Sequence, residues 1–316
     1  MTDQARPRLE DLVEAGVTAV GDGGGGASPR QASRRKRAVP YGLAAPSVFW
    51  LLVFFLIPTI YMGFVSLGSG FLGNIKFGLN FSNYVDVLKT YDKQFIRSVV
   101  YALIVTFLAL MIAYPLAYWI ALYGGKRKNV YILLILLPFF VSFVIRTVQW
   151  QFILADSGII LGPLKNLGLL PDNFHVLSTP IAVIAGITYN FLPFTALPLY
   201  VALERLDPRL LEAGRDLYAN KVTTFRKVVW PLSLPGVFAA FLLTFLPAVG
   251  DYVNSQVLGG PSTTMIGQII QTLFQTNFDY PHGAALSFIL MAFLLIGASL
   301  YAKVLGTEAV TSAAGR

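Results

Sequence analysis

Asp251 and Tyr252, at the end of an apolar run, are the first residues whose types could bind a charged ligand. A carboxylate beside an aromatic ring can hold a cation through charge pairing together with a cation–π contact. The alternative is that Asp251 is only the solvated end of a helix. The pair is therefore a candidate for contact with a cation, and this alternative stays open.

Arg146 and Trp150 form a second candidate group, near the end of the apolar run at 130–154. A charge at the centre of a bilayer costs about 2.5–3.5 kcal/mol on insertion scales, so a buried arginine there needs a reason. Either the guanidinium extends to the outer membrane surface, or it lines or gates a path. Because Arg146 would repel a cation, we expect it to pair with a carboxylate, such as Asp156 or Asp251, or to cap an outer gate.

Tyr189 and Asn190 lie near the middle of the run at 180–203, just before Pro193. Asn190 either joins neighbouring helices by a hydrogen bond or lines a cavity. Both residues are retained as candidates for a path through the membrane.

Nucleophilic and metal chemistry is not indicated by the rest of the chain. The sequence has no cysteine, and its two histidines, His175 and His282, are far apart. His-Glu-x-x-His and Gly-x-Ser-x-Gly patterns do not occur, and the glycine run Gly23–Gly26 lacks the lysine and Ser/Thr of a phosphate-binding loop. An enzyme is a poor interpretation, and we expect no cofactor or metal in this chain.

The elements that position these residues are membrane helices. Of 316 residues, 55% are hydrophobic and only 13% are charged, whereas soluble domains carry roughly a quarter of charged residues. Runs of about 20 apolar residues can cross a bilayer. Six such runs are present, at 44–67, 96–122, 130–154, 180–203, 233–253 and 284–305. The sequence predicts an all-α integral membrane protein with one six-helix domain at 41–306.

The positions of Lys and Arg predict the orientation, because cytoplasmic loops carry the excess of these residues. They concentrate before the first run, at 126–128 and between 205 and 227. Both termini are then cytoplasmic, with a disordered tail at 1–40 and a short tail at 307–316. The formal charge of +8 is interpreted as a topology signal and as attraction to anionic lipid, not as nucleic-acid binding.

Residues 203–235 differ from every apolar run because they are amphipathic. Leucines recur at helical spacing among arginines and lysines, which predicts one or two short helices outside the membrane. Asp207 and Pro208 fit a helix N-cap followed by proline in the first turn, and Pro231 and Pro235 are expected to close the stretch and to open the next run.

This stretch resembles the EAA loop of ABC importer permeases, at about 204–231. The family pattern is Glu-Ala-Ala, three residues, Gly, nine residues, then Ile-x-Leu-Pro. Glu212, Ala213 and Pro231 match this pattern outright. Gly214 replaces the second alanine, Val228 and Trp230 are apolar substitutes for Ile and Leu, and Phe225 belongs to the apolar face of the stretch. Tyr218 departs from the family glycine, which lets the backbone turn with positive φ or pack tightly. The resemblance implies a coupling helix that docks on a cytoplasmic ATPase.

Further motifs are similar to the polyamine branch of these permeases, the spermidine/putrescine type. They are Leu137-Pro138-Phe139, Ile145-Arg146-Thr147, Leu246-Pro247-Ala248, Leu258-Gly259-Gly260 and Gly283-Ala284-Ala285. The resemblance implies a type I importer permease fold and three protein partners: a second, different permease, a homodimeric ATPase and an extracytoplasmic polyamine-binding protein. ATP and Mg are then bound by the ATPase. Two alternatives stay open, a permease for another small solute and a secondary transporter driven by an ion gradient.

Overall fold

The computed structural model describes residues 45–70 and 76–314, with side chains omitted at position 215 and beyond position 303. The predicted tail at 1–40 lies outside the described residues. The chain divides into two units, Met1–Tyr61 and Met62–Arg316. Within the described residues every regular element is a helix, apart from one isolated β-bridge between Ser69 and Lys76.

In the part of the chain that the structure describes, five helices are long and apolar enough to cross a membrane. They are α1 (Ala45–Ser66), α2 (Ser82–Tyr123), α6 (Pro180–Glu204), α8 (Lys221–Val249) and α11, which crosses with Tyr280–Lys303 and continues to Ala314. Helix α2 includes the predicted second span and begins earlier, with non-helical torsions at Tyr91 (φ −118°, ψ 20°). Asn83, in its first turn, donates to the carbonyls of Ser66 and Gly68 at 2.9 and 2.8 Å, which ties α2 to the end of α1.

The prediction of a continuous third helix is wrong, because the helix is interrupted in the middle of this span. Helix α3 (Lys128–Leu136) leads into a 3₁₀ turn, Leu137–Phe140, and α4 (Phe143–Leu154) follows at an angle of 89°. Pro138 has no N–H to donate to the carbonyl four residues earlier, and Val141 is extended (ψ 139°). The predicted six spans are present when this bent pair is counted as one.

The amphipathic stretch forms α7 (Pro208–Asp216) and the first turns of α8, as predicted. The expectation that prolines close it is wrong, because α8 runs from Lys221 through Pro231 and Pro235 to Val249. A π-helical turn at Phe225–Val229 directly precedes Pro231. The wider turn accommodates the residue that cannot donate to the helix.

Between α8 and α11 the chain forms two short helices, α9 (Val253–Leu258) and α10 (Ile266–Gln275). A further short helix, α5 (Leu161–Asn166), follows α4. Gly267 opens α10 so close to the end of α8 that a Cβ there would lie 2.2 Å from the Gly250 carbonyl oxygen. Ser98 of α2 accepts from the Ile266 N–H at 2.7 Å. These contacts hold the segment after α8 against α2.

Two buried apolar clusters stabilise the helices after residue 61. One joins α2, α6, α9, α10 and α11 around Val105, Ile187, Leu258 and Leu286. The other joins α2, α6 and α8 around Ile120, Leu199 and Val229. The second cluster supports α7, and the first surrounds a group of buried polar side chains that includes Asn190 and Asn254.

Candidate functional site

Helix α7 begins as the sequence predicts and presents its polar face outward. Asp207 Oδ1 accepts from the Arg209 N–H at 2.9 Å, which satisfies a free donor of the first turn. Leu206 and Leu211 pack on the second apolar cluster. Glu212 and Ala213 are exposed on the other side. The motif residues therefore lie on an accessible surface.

The turn after α7 adopts the backbone conformation that a glycine favours. Tyr218 has φ +55°, and Ala219 donates to the Gly214 carbonyl at 3.0 Å, the bond of a Schellman helix end. The Tyr218 side chain is 98% exposed, so no packing compensates for the backbone strain. A Cβ on Gly214 would lie 3.3 Å from Thr224 Oγ1, a close approach of α7 to α8. The residue at 218 thus differs from the family glycine, but its backbone has the positive φ that glycine favours.

An aromatic cluster connects the motif to α2. Phe225 and Trp230 lie 5.9 and 5.5 Å from the ring of Tyr114, and Phe225 lies 5.8 Å from Tyr118. Tyr114 Oη is 2.8 Å from Ser233 Oγ. Val229 is fully buried, whereas Val228, selected from the family pattern, is only partly buried. The sequence did not single out Val229, Tyr114 or Tyr118. Val229 lies in the π-helical turn, which has no sequence signature of its own.

A cleft of about 350 Å³ lies beside α7, lined by the ends of α2 and α6 and the start of α8. Lys128 and Glu204 form a salt bridge in its wall. This ion pair ties α3 to the end of α6, next to the residues that lead into α7. The sequence did not predict this ion pair.

Four buried polar side chains form a second candidate site, the polar cluster: Thr147, Asn190, Asp251 and Asn254. Asn190 Nδ2 lies within donating distance of Thr147 Oγ1 at 3.0 Å and of Asn254 Oδ1 at 3.1 Å. Asp251 Oδ1 accepts from the Asn254 N–H, and Oδ2 accepts from Asn254 Nδ2, both at 2.8 Å. All four side chains are buried. Asn190 therefore joins α4, α6 and α9, and Thr147 and Asn254 are site residues that the sequence did not single out.

The predicted pair of Asp251 and Tyr252 points in two directions. Asp251 is 6% exposed and turned into the polar cluster, whereas Tyr252 is 45% exposed. Asn190 Oδ1 is buried without a hydrogen-bond partner among the described residues. The cluster thus holds one carboxylate and one free amide oxygen, both of which can accept from an ammonium group.

Arg146 lies in the first turn of α4 and is 6% exposed. The predicted ion pair with Asp156 or Asp251 is absent from the described residues: Lys165 is 3.3 Å from Asp156, and Asp251 is engaged by Asn254. Arg146 instead lies beside Phe143, three residues earlier in α4, 5.8 Å from its ring centroid. Trp150 and Tyr189 do meet, with ring centroids 5.4 Å apart. Within residues 45–70 and 76–314, no group of three His, Asp or Glu side chains could hold a metal.

Comparison with known proteins identifies the family. Residues 113–305 match the model of the binding-protein-dependent transport system inner membrane component. The chain is 36% identical over 254 residues to the spermidine/putrescine transport system permease protein PotB of Haemophilus influenzae, covering 78% of this chain and 88% of the relative. It is 34% identical over 249 residues to PotB of Escherichia coli, covering 77% and 89%.

A further relative is similar in sequence, and a solved structure has a similar fold. The inner membrane ABC transporter permease protein YdcU of Escherichia coli is 33% identical over 250 residues, covering 74% of this chain and 76% of the relative. A chain of a bacterial ABC transporter involved in the import of the acidic polysaccharide alginate superimposes with a TM-score of 0.63 at 19% identity, covering 88% of this chain and 99% of that chain. The sequence match and the shared type I fold lead to one conclusion: this chain belongs to the family of binding-protein-dependent transport system inner membrane components, the membrane-spanning permeases of ABC importers.

Proposed function

We propose that this chain is the polyamine-carrying permease of an importer for spermidine or putrescine and forms half of the translocation path. The observation that carries the proposal is the identity of 36% to a spermidine/putrescine permease over 78% of the chain. The partners are a second, different permease, a homodimeric ATPase that binds ATP and Mg, and an extracytoplasmic polyamine-binding protein. Both termini and α7 face the cytoplasm in this proposal, consistent with the distribution of Lys and Arg.

Coupling to the ATPase is assigned to α7 and the turn after it. Glu212 and Ala213 are exposed, and Tyr218 extends from the turn into solvent. Phe225, Val228, Trp230 and Pro231 lie in α8, where Phe225 and Trp230 contact the aromatic residues of α2. A displacement of α7 by the ATPase would thus be transmitted through α8 and α2 to the membrane helices.

The path for the cation is assigned to the polar cluster and the aromatic residues near it. The Asp251 carboxylate and the free Asn190 Oδ1 supply acceptors for an ammonium group. Trp150, Tyr189 and the exposed Tyr252 supply aromatic rings for cation–π contacts. Asn254 occupies one acceptor site on each oxygen of Asp251, and the remaining lone pairs can accept from a cation.

The cargo class is tested by competition. The complete importer, reconstituted in liposomes with its binding protein outside and ATP inside, takes up labelled spermidine. We expect unlabelled putrescine and spermidine to reduce this uptake, while amino acids and molybdate do not. If labelled spermidine is not taken up, or if an amino acid or an oxyanion competes with it, the chain carries another solute.

A further inference from the structure

The break between α3 and α4 opens a cavity of about 350 Å³, and among the described residues that line it Arg146 is the only charged one. The other lining residues are Phe139, Phe140, Val141, Ser142, Phe143, Phe191 and Phe194. Arg146 Nε and Nη1 are buried, and no acceptor among the described residues bonds to either atom. Phe140, at 80% exposure, forms part of the rim. The cavity is an apolar site around two unpaired donors of a charged group.

The chemistry of this site demands an anionic acceptor. A guanidinium that is buried among aromatic rings loses hydration, and its burial is tolerated when a carboxylate accepts from it. Planar guanidinium and carboxylate groups match in two parallel hydrogen bonds. The cargo of the proposed function is a polycation, so it cannot supply the acceptor.

We propose that this cavity is an interface site for the second permease subunit and that Arg146 binds an Asp or Glu side chain of that subunit. The inference rests on the proposed function for the existence of a second permease, and it goes further by specifying the chemistry of the contact. Charge complementarity selects the occupant: the face presents one buried positive charge within an apolar rim.

A second copy of this chain would have to supply the carboxylate from outside this cavity, because none of the described lining residues is acidic. Where Arg146 lies on the axis of a twofold dimer, two guanidinium groups would meet without an acceptor. The carboxylates proposed from the sequence are also engaged, Asp156 by Lys165 and Asp251 by Asn254. The site therefore calls for a different chain, one that carries a carboxylate where this chain carries Arg146 or close to it.

Assembly of the complex tests the inference without substrate. The tagged chain is co-expressed with the second permease and the ATPase, and retention of the second permease is measured as the purified complex is diluted in detergent. We expect Arg146→Gln to weaken retention at least about tenfold and Arg146→Lys to weaken it less. Lys89→Gln, which removes an exposed positive charge elsewhere, is the control and should leave retention unchanged.

Cross-linking identifies the acceptor. Because the chain contains no cysteine, Arg146→Cys creates a single thiol in it. Each membrane-embedded Asp or Glu of a cysteine-free second permease is replaced in turn by cysteine, and the complex is treated with a short bismaleimide, because the Cα atoms of an arginine–carboxylate pair lie farther apart than a disulfide can bridge. We expect one acidic position to form the cross-link, and exchanging the two charges, with Arg146→Glu and an arginine at that position, should restore assembly even if Arg146→Gln alone is poorly folded.

Three results would overturn the inference: unchanged retention in Arg146→Gln, a cross-link between two copies of this chain, or no cross-link at any acidic position of the second permease. The last result would assign the guanidinium to another acceptor, such as a lipid phosphate. None of these results concerns the cargo. Spermidine uptake that persists in an importer with Arg146→Gln and normal assembly would reject the ion pair and leave the proposed function standing.

Discussion

Replacing Tyr218 with glycine should stabilise the turn that ends α7. Tyr218 has φ +55° and its side chain is 98% exposed, so the change removes backbone strain without removing packing. The left-handed conformation costs a non-glycine residue about 1–2 kcal/mol, whereas glycine loses about 0.5–1 kcal/mol in additional chain entropy on folding. The net gain is about 0.5–1 kcal/mol, which corresponds to about two- to fivefold slower opening of the turn.

Hydrogen exchange of the α7 amides in the purified chain measures this gain directly. Leu217→Gly is the matched control, since Leu217 is 81% exposed but is not among the residues with positive φ. We expect the control to lose about 0.5–1 kcal/mol and to exchange faster. Faster exchange in Tyr218→Gly, or equal effects of both substitutions, would refute the assignment of strain to Tyr218.

The remaining predictions concern coupling, packing and the path. Glu212→Lys reverses an exposed charge on α7. We expect it to abolish transport and substrate-stimulated ATP hydrolysis while membrane insertion stays normal. Normal uptake would reject α7 as the coupling surface. Gly267→Ala should reduce the free energy of unfolding by about 1–3 kcal/mol, because its Cβ would lie 2.2 Å from the Gly250 carbonyl oxygen. A lower thermal midpoint in detergent would show this loss. Gly297→Ala, with no atom within 4 Å, should not lower it, and a larger loss for Gly297→Ala would contradict the packing of α10. Asp251→Asn keeps an oxygen for the Asn254 N–H and loses the hydrogen bond from Asn254 Nδ2. We expect this variant to assemble with the ATPase but to need a higher spermidine concentration at low salt; wild-type uptake there would remove Asp251 from the path.

Helices and their order could be predicted because apolar runs and amphipathic periodicity are local properties. The runs at 180–203 and 284–305 fall within α6 and α11, and Asp207 caps α7 as its position before Pro208 indicates. The positive φ at Tyr218 was also accessible, because the family places glycine there. These features depend on neighbours in the sequence.

The break before α4 and the contents of the polar cluster depend on distant residues instead. Pro138 is visible in the sequence, but the chain bends three residues later, at Val141, where α4 packs against α6 and α9. The hydrogen bond from Thr147 to Asn254 joins residues 107 positions apart. The sequence left open whether Asp251 binds a cation or ends a helix in solvent, and its burial is explained by the position of Asn254 relative to α4 and α6.

The most direct test of the account is ATP-dependent uptake of labelled spermidine by liposomes that contain the complete importer. We predict uptake only when this chain, the second permease, the ATPase and the binding protein are all present with ATP inside. Omission of this chain, or an ATPase that cannot hydrolyse ATP, should reduce uptake to background. Spermidine uptake by this chain alone along an ion gradient, or ATP-dependent uptake that does not require this chain, would contradict the account.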